Sequence, residues 1–315
     1  MRTIRCSLLL SGLVLLSTVM RAQKLEHVYL SSKDTASNRY IAVIPEKVPV
    51  KAWMFLLDGF GASPENVLME STLPKYAATQ GILTVIPLLS TGSLYFGSDD
   101  ASQRSLKEQI EGVAKKYGLK DKPFFIGGFS IGGTCAIKYA ELAVNNNYPF
   151  KPKAAFGIDP PLDWEHYYRG AERVIHLSGK EHVNQEVAYM IDRIKKEIKG
   201  TPEQALGNFY ANSPYSFSDT TQSAVKLLAG TPVMLVSEPD LQWWLKERGY
   251  DLAFINIADD AGFINELKHL GNKNAVLVTT FGKGYREPGH VRHPHSWSIA
   301  DSSDVVQWLF RFSRP

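Results

Sequence analysis

Cysteine is scarce in this chain of 315 residues, which contains only Cys6 and Cys135. Cys6 lies in a short N-terminal segment that has the features of a secretory signal. Once that segment is removed, Cys135 is left alone and has no partner for an internal disulfide, even in an oxidising compartment. Packing and hydrogen bonding must therefore hold the processed chain together.

Long apolar runs are also scarce. The one at the N-terminus covers residues 8–19, follows Arg2 and Arg5, and is interrupted only by small residues. A membrane-spanning helix needs about 20 apolar residues, and Arg21-Ala22-Gln23 offers a processing point directly afterwards. This pattern predicts a cleavable signal peptide over residues 1–22, a secreted or periplasmic protein, and no stable membrane insertion after cleavage.

The formal excess of positive charge is small, at +3. The three arginines among residues 1–22 account for all of it, because that segment holds no acidic residue. Neither nucleic acid nor an anionic membrane is therefore indicated as a partner. The glycine motifs that bind phosphates, G-x-x-x-x-G-K-[ST] and G-x-G-x-x-G, are absent too, and no cofactor is predicted.

Strand-like and helix-like segments alternate along the rest of the chain. The strand-like segments are residues 27–30, 39–45, 51–57, 81–88, 123–127, 153–158, 232–237 and 275–280. Helical patterns cover residues 74–80, 101–117, 131–144, 241–248 and 304–312. This alternation indicates an α/β fold with a mostly parallel eight-stranded sheet and helices on both faces. The first two strands have no helix between them and should form an antiparallel edge hairpin.

Residues 163–228 interrupt the alternation, since about sixty residues pass without a clear buried strand. Within them, residues 186–199 show a helical pattern with Met190, Ile194 and Ile198 on one face and charged residues on the other. We expect one domain over residues 23–315 with a helical, lid-like insertion at this place. A solvated insertion and a lid over the functional site both remain open.

A glycine-rich turn, Gly128-Phe129-Ser130-Ile131-Gly132, separates a predicted strand from a predicted helix. This is the context in which G-x-S-x-G forms a nucleophile elbow, a sharp turn that exposes the serine hydroxyl. The helix that follows directs its N-terminus at the site and favours developing negative charge. Ser130 is therefore the predicted nucleophile, the alternative being a tight connection without chemistry.

Two backbone N–H groups should bind an oxyanion beside such a serine. One belongs to Ile131, the residue after the serine. The other should come from the loop after the third strand, Asp58-Gly59-Phe60-Gly61, where Phe60 is the predicted donor. Asp58 itself is interpreted as a turn former.

A general base is expected between the last strand and the last helix. Of the three histidines there, we predict His295 because it lies nearest the final helix, with His293 second and His290 a loop residue. Their H-x-x-H-x-H spacing offers three ligands and makes a metal site an alternative interpretation. However, the spacing is neither helical nor hairpin-like and no cysteine is near, so no metal is predicted. Three cations of the same loop either bind a substrate carboxylate or are solvated: Lys283, Arg286 and Arg292.

The acid that orients the base should follow the strand at residues 232–237. Asp240 is the predicted acid because it falls in the turn, with Glu238 second and Asp251 third. Trp243 and Trp244 follow, and either pack a short helix or form an aromatic wall for a substrate.

Several motifs together resemble the secreted esterase branch of the α/β-hydrolase superfamily, which includes feruloyl esterases, acetyl-xylan-type esterases and polyhydroxybutyrate depolymerases. These motifs are residues 39–45, Asp58-Gly59-Phe60-Gly61, residues 128–133 and Arg292-His293-Pro294-His295-Ser296-Trp297. The resemblance implies the roles of nucleophile, base and acid for Ser130, His295 and Asp240. This chain departs from the pattern in two places: Asp58-Gly59 replaces the usual His-Gly pair, and the insertion is present.

Three functions follow as hypotheses. The first is hydrolysis of small-molecule or carbohydrate esters through an acyl-enzyme on Ser130. The second is a serine peptidase of the same fold, and the third is a secreted binding protein that has kept the elbow without catalysis. The order serine, acid, histidine favours the two enzymes.

Overall fold

The structure is a computed structural model that describes residues 23–32, 35–178 and 185–313. Its strands are β1 Gln23–Tyr29, β2 Arg39–Pro45, β3 Ala52–Leu57, β4 Ile82–Leu88, β5 Phe124–Phe129, β6 Ala154–Ile158, β7 Val233–Ser237, β8 Ala275–Thr279, β9 Tyr285–Arg286 and β10 Val291–Arg292. Its helices are α1 Pro64–Glu70, α2 Leu73–Gln80, α3 Asp100–Lys116, α4 Ile131–Asn145, α5 Trp164–Ser178, α6 Gln185–Ile198, α7 Pro202–Asn212, α8 Leu241–Arg248, α9 Ile257–His269 and α10 Ser302–Phe310.

The main sheet has eight strands in the order β1-β2-β4-β3-β5-β6-β7-β8. β1 pairs antiparallel with β2 and β2 with β4, whereas all pairs from β4–β3 onward are parallel. The predicted mostly parallel eight-stranded sheet with an antiparallel edge hairpin is confirmed. β9 and β10 form a separate small hairpin after the main sheet.

Both faces of the sheet are covered, which explains why the central strands read as uninterrupted apolar runs. Side chains alternate between the two faces, so that Trp53 and Phe55 of β3 join one core and Met54 and Leu56 join the other. The first core is shared with α3, α4, α9 and the insertion. The second is shared with α1, α2 and α10.

The insertion between β6 and β7 contains α5, α6, α7 and a short 3₁₀ helix at Val225–Leu228. α6 buries the apolar face expected from its spacing, including Met190, Ile194 and Ile198. On its other side, Arg193 donates to the carbonyl of Leu94 at 2.8 Å and pairs with Glu197 at 2.7 Å. The insertion is thus fastened to the loop that follows β4.

The predicted signal peptide, residues 1–22, lies outside the described residues and stays a prediction. Among the residues that the structure does describe, no helix combines the length and the apolar character that crossing a bilayer requires.

Candidate active site

The carboxyl ends of the parallel strands meet at one edge of the sheet, where sites of open α/β folds form. Asp58 directly follows β3, Ser130 follows β5, Asp159 follows β6 and Glu238 follows β7. The loop that contains His295 comes after β8 and the small hairpin. The topology thereby collects these side chains from distant parts of the sequence.

Ser130 stands on a sharp turn between β5 and α4, with φ 52° and ψ −127°. This is a strained conformation for a residue with a side chain. Its backbone N–H donates to Ile158 O at 2.9 Å, which ties the turn to β6. Gly132 makes the turn possible, since a Cβ there would lie 2.4 Å from Leu57 O and 2.5 Å from Asp58 O.

His295 is oriented by a carboxylate, as a general base must be. Its Nδ1 lies 2.6 Å from Oδ2 of Asp159, to which it donates a hydrogen bond. The remaining nitrogen, Nε2, is then the one available to accept a proton. The imidazole packs 4.5 Å from the ring of Phe129, the residue before Ser130, and both Ser130 and His295 line the same cavity.

Asp159 is itself held in a fixed position. It has φ 49°, and its N–H donates to Val236 O at 2.8 Å. The side chain of Asn256 donates to the carbonyl of Asp159 at 2.7 Å. Only 7% of Asp159 is exposed, so its carboxylate is screened weakly by solvent and can stabilise an imidazolium.

The prediction that Asp240 orients the histidine is wrong. Asp240 caps α8 by accepting from Trp243 N–H at 3.1 Å, and its other oxygen lies 2.6 Å from Arg292. Arg292 also holds Glu238 at 2.5 Å. Both carboxylates after β7 are therefore bound to one guanidinium and turned away from the imidazole. The third candidate, Asp251, pairs with Arg173 at 2.5 Å.

Glu238 has a structural task in place of the predicted one. Its oxygens accept from the N–H of Lys283 at 2.8 Å and of Gly284 at 3.3 Å, and from the hydroxyl of Thr280 at 3.1 Å. It thus anchors the segment after β8 that leads to the histidine loop.

The three histidines of that loop have different environments. His293 is buried against Trp243 and Trp244, and its Nδ1 accepts from the N–H of His295 at 3.1 Å. Burial, followed by the charge of Arg286, lowers its pKa to about 2, so it stays neutral. His290 stacks on Tyr285 and is exposed. Within the described ranges, no three metal-binding side chains cluster as a metal site requires.

The loop after β3 lies against Ser130, since a Cβ on Gly59 would be 3.5 Å from the serine Cβ. Phe60 and Ile131, the two residues predicted to supply N–H groups, both line the cavity beside Ser130. Asp58 fixes this loop. Its Oδ1 accepts from Gly59 N–H at 2.7 Å and from Trp297 Nε1 at 3.1 Å, and its carbonyl accepts from the hydroxyl of Tyr95. Burial raises its pKa to about 7.

The cavity over Ser130 has a volume of about 730 Å³ and is open to solvent. Apart from the residues around Ser130 and His295, its walls come mainly from the β3 loop, the insertion and the segment after β7. The insertion contributes Val187, Tyr189 and Met190, and the segment after β7 contributes Trp244, Tyr250 and Phe254. Trp243 lies outside the lining and packs on His293 instead. Besides Asp58 and Asp159, the cavity lining contains four charged side chains: Glu70, Glu186, Arg248 and Arg286.

Neither a protein-family model nor a curated protein sequence matches this chain. Solved structures match in fold. The S-formylglutathione hydrolase of Agrobacterium tumefaciens has a TM-score of 0.57 at 12% identity, covering 93% of this chain and 97% of that one. Carboxyl esterase 2 of Tuber melanosporum has a TM-score of 0.58 at 12% identity, and the match covers 94% of this chain and 87% of that one. The acylaminoacyl peptidase of Pyrococcus horikoshii has a TM-score of 0.59 at 15% identity, and the match covers 93% of this chain and 42% of that one. The likeness establishes the α/β-hydrolase fold.

Proposed function

We propose that this protein is a serine hydrolase that cleaves carboxylic esters through an acyl-enzyme on Ser130. The observation that carries the proposal is the joint placement of a strained serine and a carboxylate-bound imidazole in one cavity. A structural serine would not need a turn of this strain, and strain of this kind concentrates at functional sites. The fold shared with an S-formylglutathione hydrolase and a carboxyl esterase supports a reaction of this class.

The reaction would run in two halves. Ser130 Oγ attacks the ester carbonyl while Nε2 of His295 takes its proton, and Asp159 stabilises the imidazolium. The oxyanion accepts hydrogen bonds from the N–H groups of Phe60 and Ile131. The bond to the alcohol oxygen then breaks, and His295 protonates the departing alcohol. Water, activated by the same imidazole, releases the acid and restores Ser130.

We further propose that the enzyme is exported after removal of residues 1–22 and acts on small-molecule or carbohydrate-linked esters. The basic, then apolar, pattern of that segment supports export. The aromatic side chains of the cavity suit aryl or sugar groups. N-terminal sequencing of the protein from the culture medium or periplasm tests the export step, and a new N-terminus near Gln23 is expected.

A peptidase of the same fold is the second candidate. Two arginines in the cavity favour it, because a guanidinium can hold the terminal carboxylate of a peptide. Aminoacyl anilides and acetyl, feruloyl and longer acyl esters should be compared in one panel. We expect turnover of esters, and selective turnover of anilides would establish the peptidase instead.

Labelling with a fluorophosphonate tests the nucleophile directly. We expect one adduct per chain, located by mass spectrometry on Ser130, and no adduct in Ser130→Ala. Ser313→Ala serves as the matched control, since Ser313 lies outside the cavity lining, and it should label like the wild type. A wild-type protein that stays unlabelled and leaves p-nitrophenyl acetate intact would refute the proposal.

A further inference from the structure

Two arginines line the proposed active-site cavity and have no part in the reaction described above. Arg286 lies on β9 of the small hairpin and Arg248 in the last turn of α8. Both share the cavity with Ser130 and His295. Both residues are exposed as well as lining the cavity, so a ligand that enters it can reach them.

Arg286 is held beside the proposed base. Its Nε and Nη2 donate to the carbonyl of His295 at 3.2 Å and 3.0 Å. A guanidinium has five N–H donors in a rigid fork, so three remain for other acceptors. Among the described residues, no carboxylate lies within the 4.0 Å of an ion pair to this guanidinium. The side chain is thus oriented but keeps free donors.

Arg292, on the other strand of the same hairpin, is an arginine of this loop with a structural role. It is bound by Glu238 at 2.5 Å and by Asp240 at 2.6 Å. Within residues 23–32, 35–178 and 185–313, Arg286 has no comparable pair, although it comes from the same cationic loop. The chain therefore neutralises one of these two guanidiniums and leaves the other facing the cavity.

Arg248 brings a second positive charge to the same place. Its guanidinium lies 6.0 Å from the ring centre of Trp243, and it too lacks an ion pair within the described residues. Partial desolvation, with a contribution from Arg248, lowers the pKa of Arg286. Two positive charges in a partly desolvated cavity repel each other. An anion bound between them would offset this electrostatic repulsion.

The cavity's own carboxylates compensate only in part. Glu70 and Glu186 favour the charged form of Arg286 from beyond ion-pair distance. Burial raises the pKa of Glu70; the charge of Arg286 opposes this rise, and the charge of Glu287 adds to it. Glu70 is thus a weaker counter-charge than a solvated glutamate.

We propose that the cavity takes esters whose alcohol portion carries a carboxylate, bound between Arg248 and Arg286. This inference rests on the proposed esterase function. The alcohol must leave on the side where His295 protonates it, and Arg286 is bonded to the carbonyl of that residue. A carboxylate matches the fork of a guanidinium with two parallel hydrogen bonds.

A matched pair of esters tests the proposal. 4-Acetoxybenzoate and 4-acetoxybenzamide have nearly the same shape, and only the first carries a charge in its alcohol portion. We expect wild-type kcat/KM to favour the carboxylate by about tenfold to hundredfold, the size expected for hydrogen bonds to a charged group. The preference should fall in Arg248→Gln and in Arg286→Gln and approach one in the double variant. Arg104→Gln, an exposed arginine of α3 outside the cavity lining, should keep it.

The failures can be told apart. If the wild type hydrolyses neither ester, the esterase proposal itself fails. If it hydrolyses both with equal kcat/KM, the carboxylate subsite fails while the esterase stands. If the arginine variants lose activity equally on both esters, the arginines only position His295, and the subsite is overturned.

Binding to the inactive Ser130→Ala chain gives a readout without turnover. Calorimetry should show that 4-hydroxybenzoate, the product alcohol with its carboxylate, binds more tightly than 4-hydroxybenzamide. The difference should vanish in Ser130→Ala with both arginines replaced. Equal binding of the two alcohols to Ser130→Ala would contradict the proposal.

Discussion

Ser130 and Asp159 are two residues with side chains that adopt positive φ, at 52° and 49°. They end neighbouring strands, β5 and β6, and the N–H of Ser130 donates to Ile158 O just before Asp159. Strain at both positions is stored where the proposed nucleophile and acid must be aimed. The rigid parallel sheet beneath them is what sustains it.

The positions of Ser130 and His295 at one cavity were predictable because each is fixed by local signals, a glycine-flanked turn and a place before the last helix. Asp159 was not, because an acidic residue directly follows three of the buried strands: Asp58, Asp159 and Glu238. The choice among carboxylates depends on which one faces the imidazole in three dimensions. In sequence, nothing shows that Arg292 binds both Glu238 and Asp240.

The buried carboxyl of Asp58 predicts a pH-dependent stability. Burial raises its pKa from 3.8 to about 7 against the opposing hydrogen bonds. The folded state therefore binds this proton more tightly than the unfolded state does. The stability that the protonated carboxyl contributes is fully present below pH 3.8 and is lost as the pH rises to about 7. In Asp58→Asn this loss is absent. Between about pH 4 and 7, the free energy of unfolding of the variant, measured in urea, should rise relative to that of the wild type by at most about 4 kcal/mol.

Asp121→Asn is the control for this experiment, because Asp121 is exposed. Its free energy of unfolding should run parallel to that of the wild type. A parallel profile for Asp58→Asn as well would show that the carboxyl does not titrate in this range.

At the scale of elements, the turn between β5 and α4 depends on close backbone approach. Gly132→Ala would place a Cβ within 2.5 Å of two backbone oxygens, which cannot move away as a flexible side chain does. We expect several kcal/mol of destabilisation and loss of activity. Gly112→Ala in α3 is the matched change, since nothing lies within 4 Å of the new Cβ. It should stabilise the chain by about 0.5–1 kcal/mol, measured by thermal and urea unfolding. Equal effects of the two changes would contradict this account of the turn.

Helices were predicted unevenly, and the physical reason differs with the element. α3 was predicted because its apolar residues follow a helical period and its polar face is solvated. α9 was missed because Asp259 and Asp260 are buried in its first turn, stabilised by His166 and Ser237 from elsewhere in the fold. α5 was missed because aromatic residues and Gly170 weaken its intrinsic helical preference. Tertiary packing, and not local helical preference, therefore determines that both α5 and α9 form.

At the scale of the whole molecule, two apolar cores on opposite faces hold the sheet. The alternation of strands and helices was enough to predict this architecture. The helical content between residues 163 and 228 was foreseen, whereas its contribution of Val187, Tyr189 and Met190 to the cavity wall emerges only in the folded chain.

Cys135 offers a probe of global unfolding. It is fully buried in the first core, and burial raises the pKa of its thiol. In a chain that starts at Gln23 it is the only cysteine. Ellman's reagent should therefore react with the native protein no faster than it unfolds and should titrate one thiol per chain in denaturant. Rapid reaction of the native protein would show that the core opens locally around α4.

The identity of the catalytic acid separates this account from the sequence-based expectation most directly. The measurement is kcat/KM for p-nitrophenyl acetate in Asp159→Asn and Asp240→Asn, with folding verified by circular dichroism. Because Asp159 holds Nδ1 of His295 at 2.6 Å, its replacement should lower kcat/KM on the order of 10²–10⁴-fold by removing the charge that stabilises the imidazolium. Asp240→Asn should stay within about threefold of the wild type, since Glu238 still holds Arg292. A severe loss in Asp240→Asn together with an active Asp159→Asn would contradict the account.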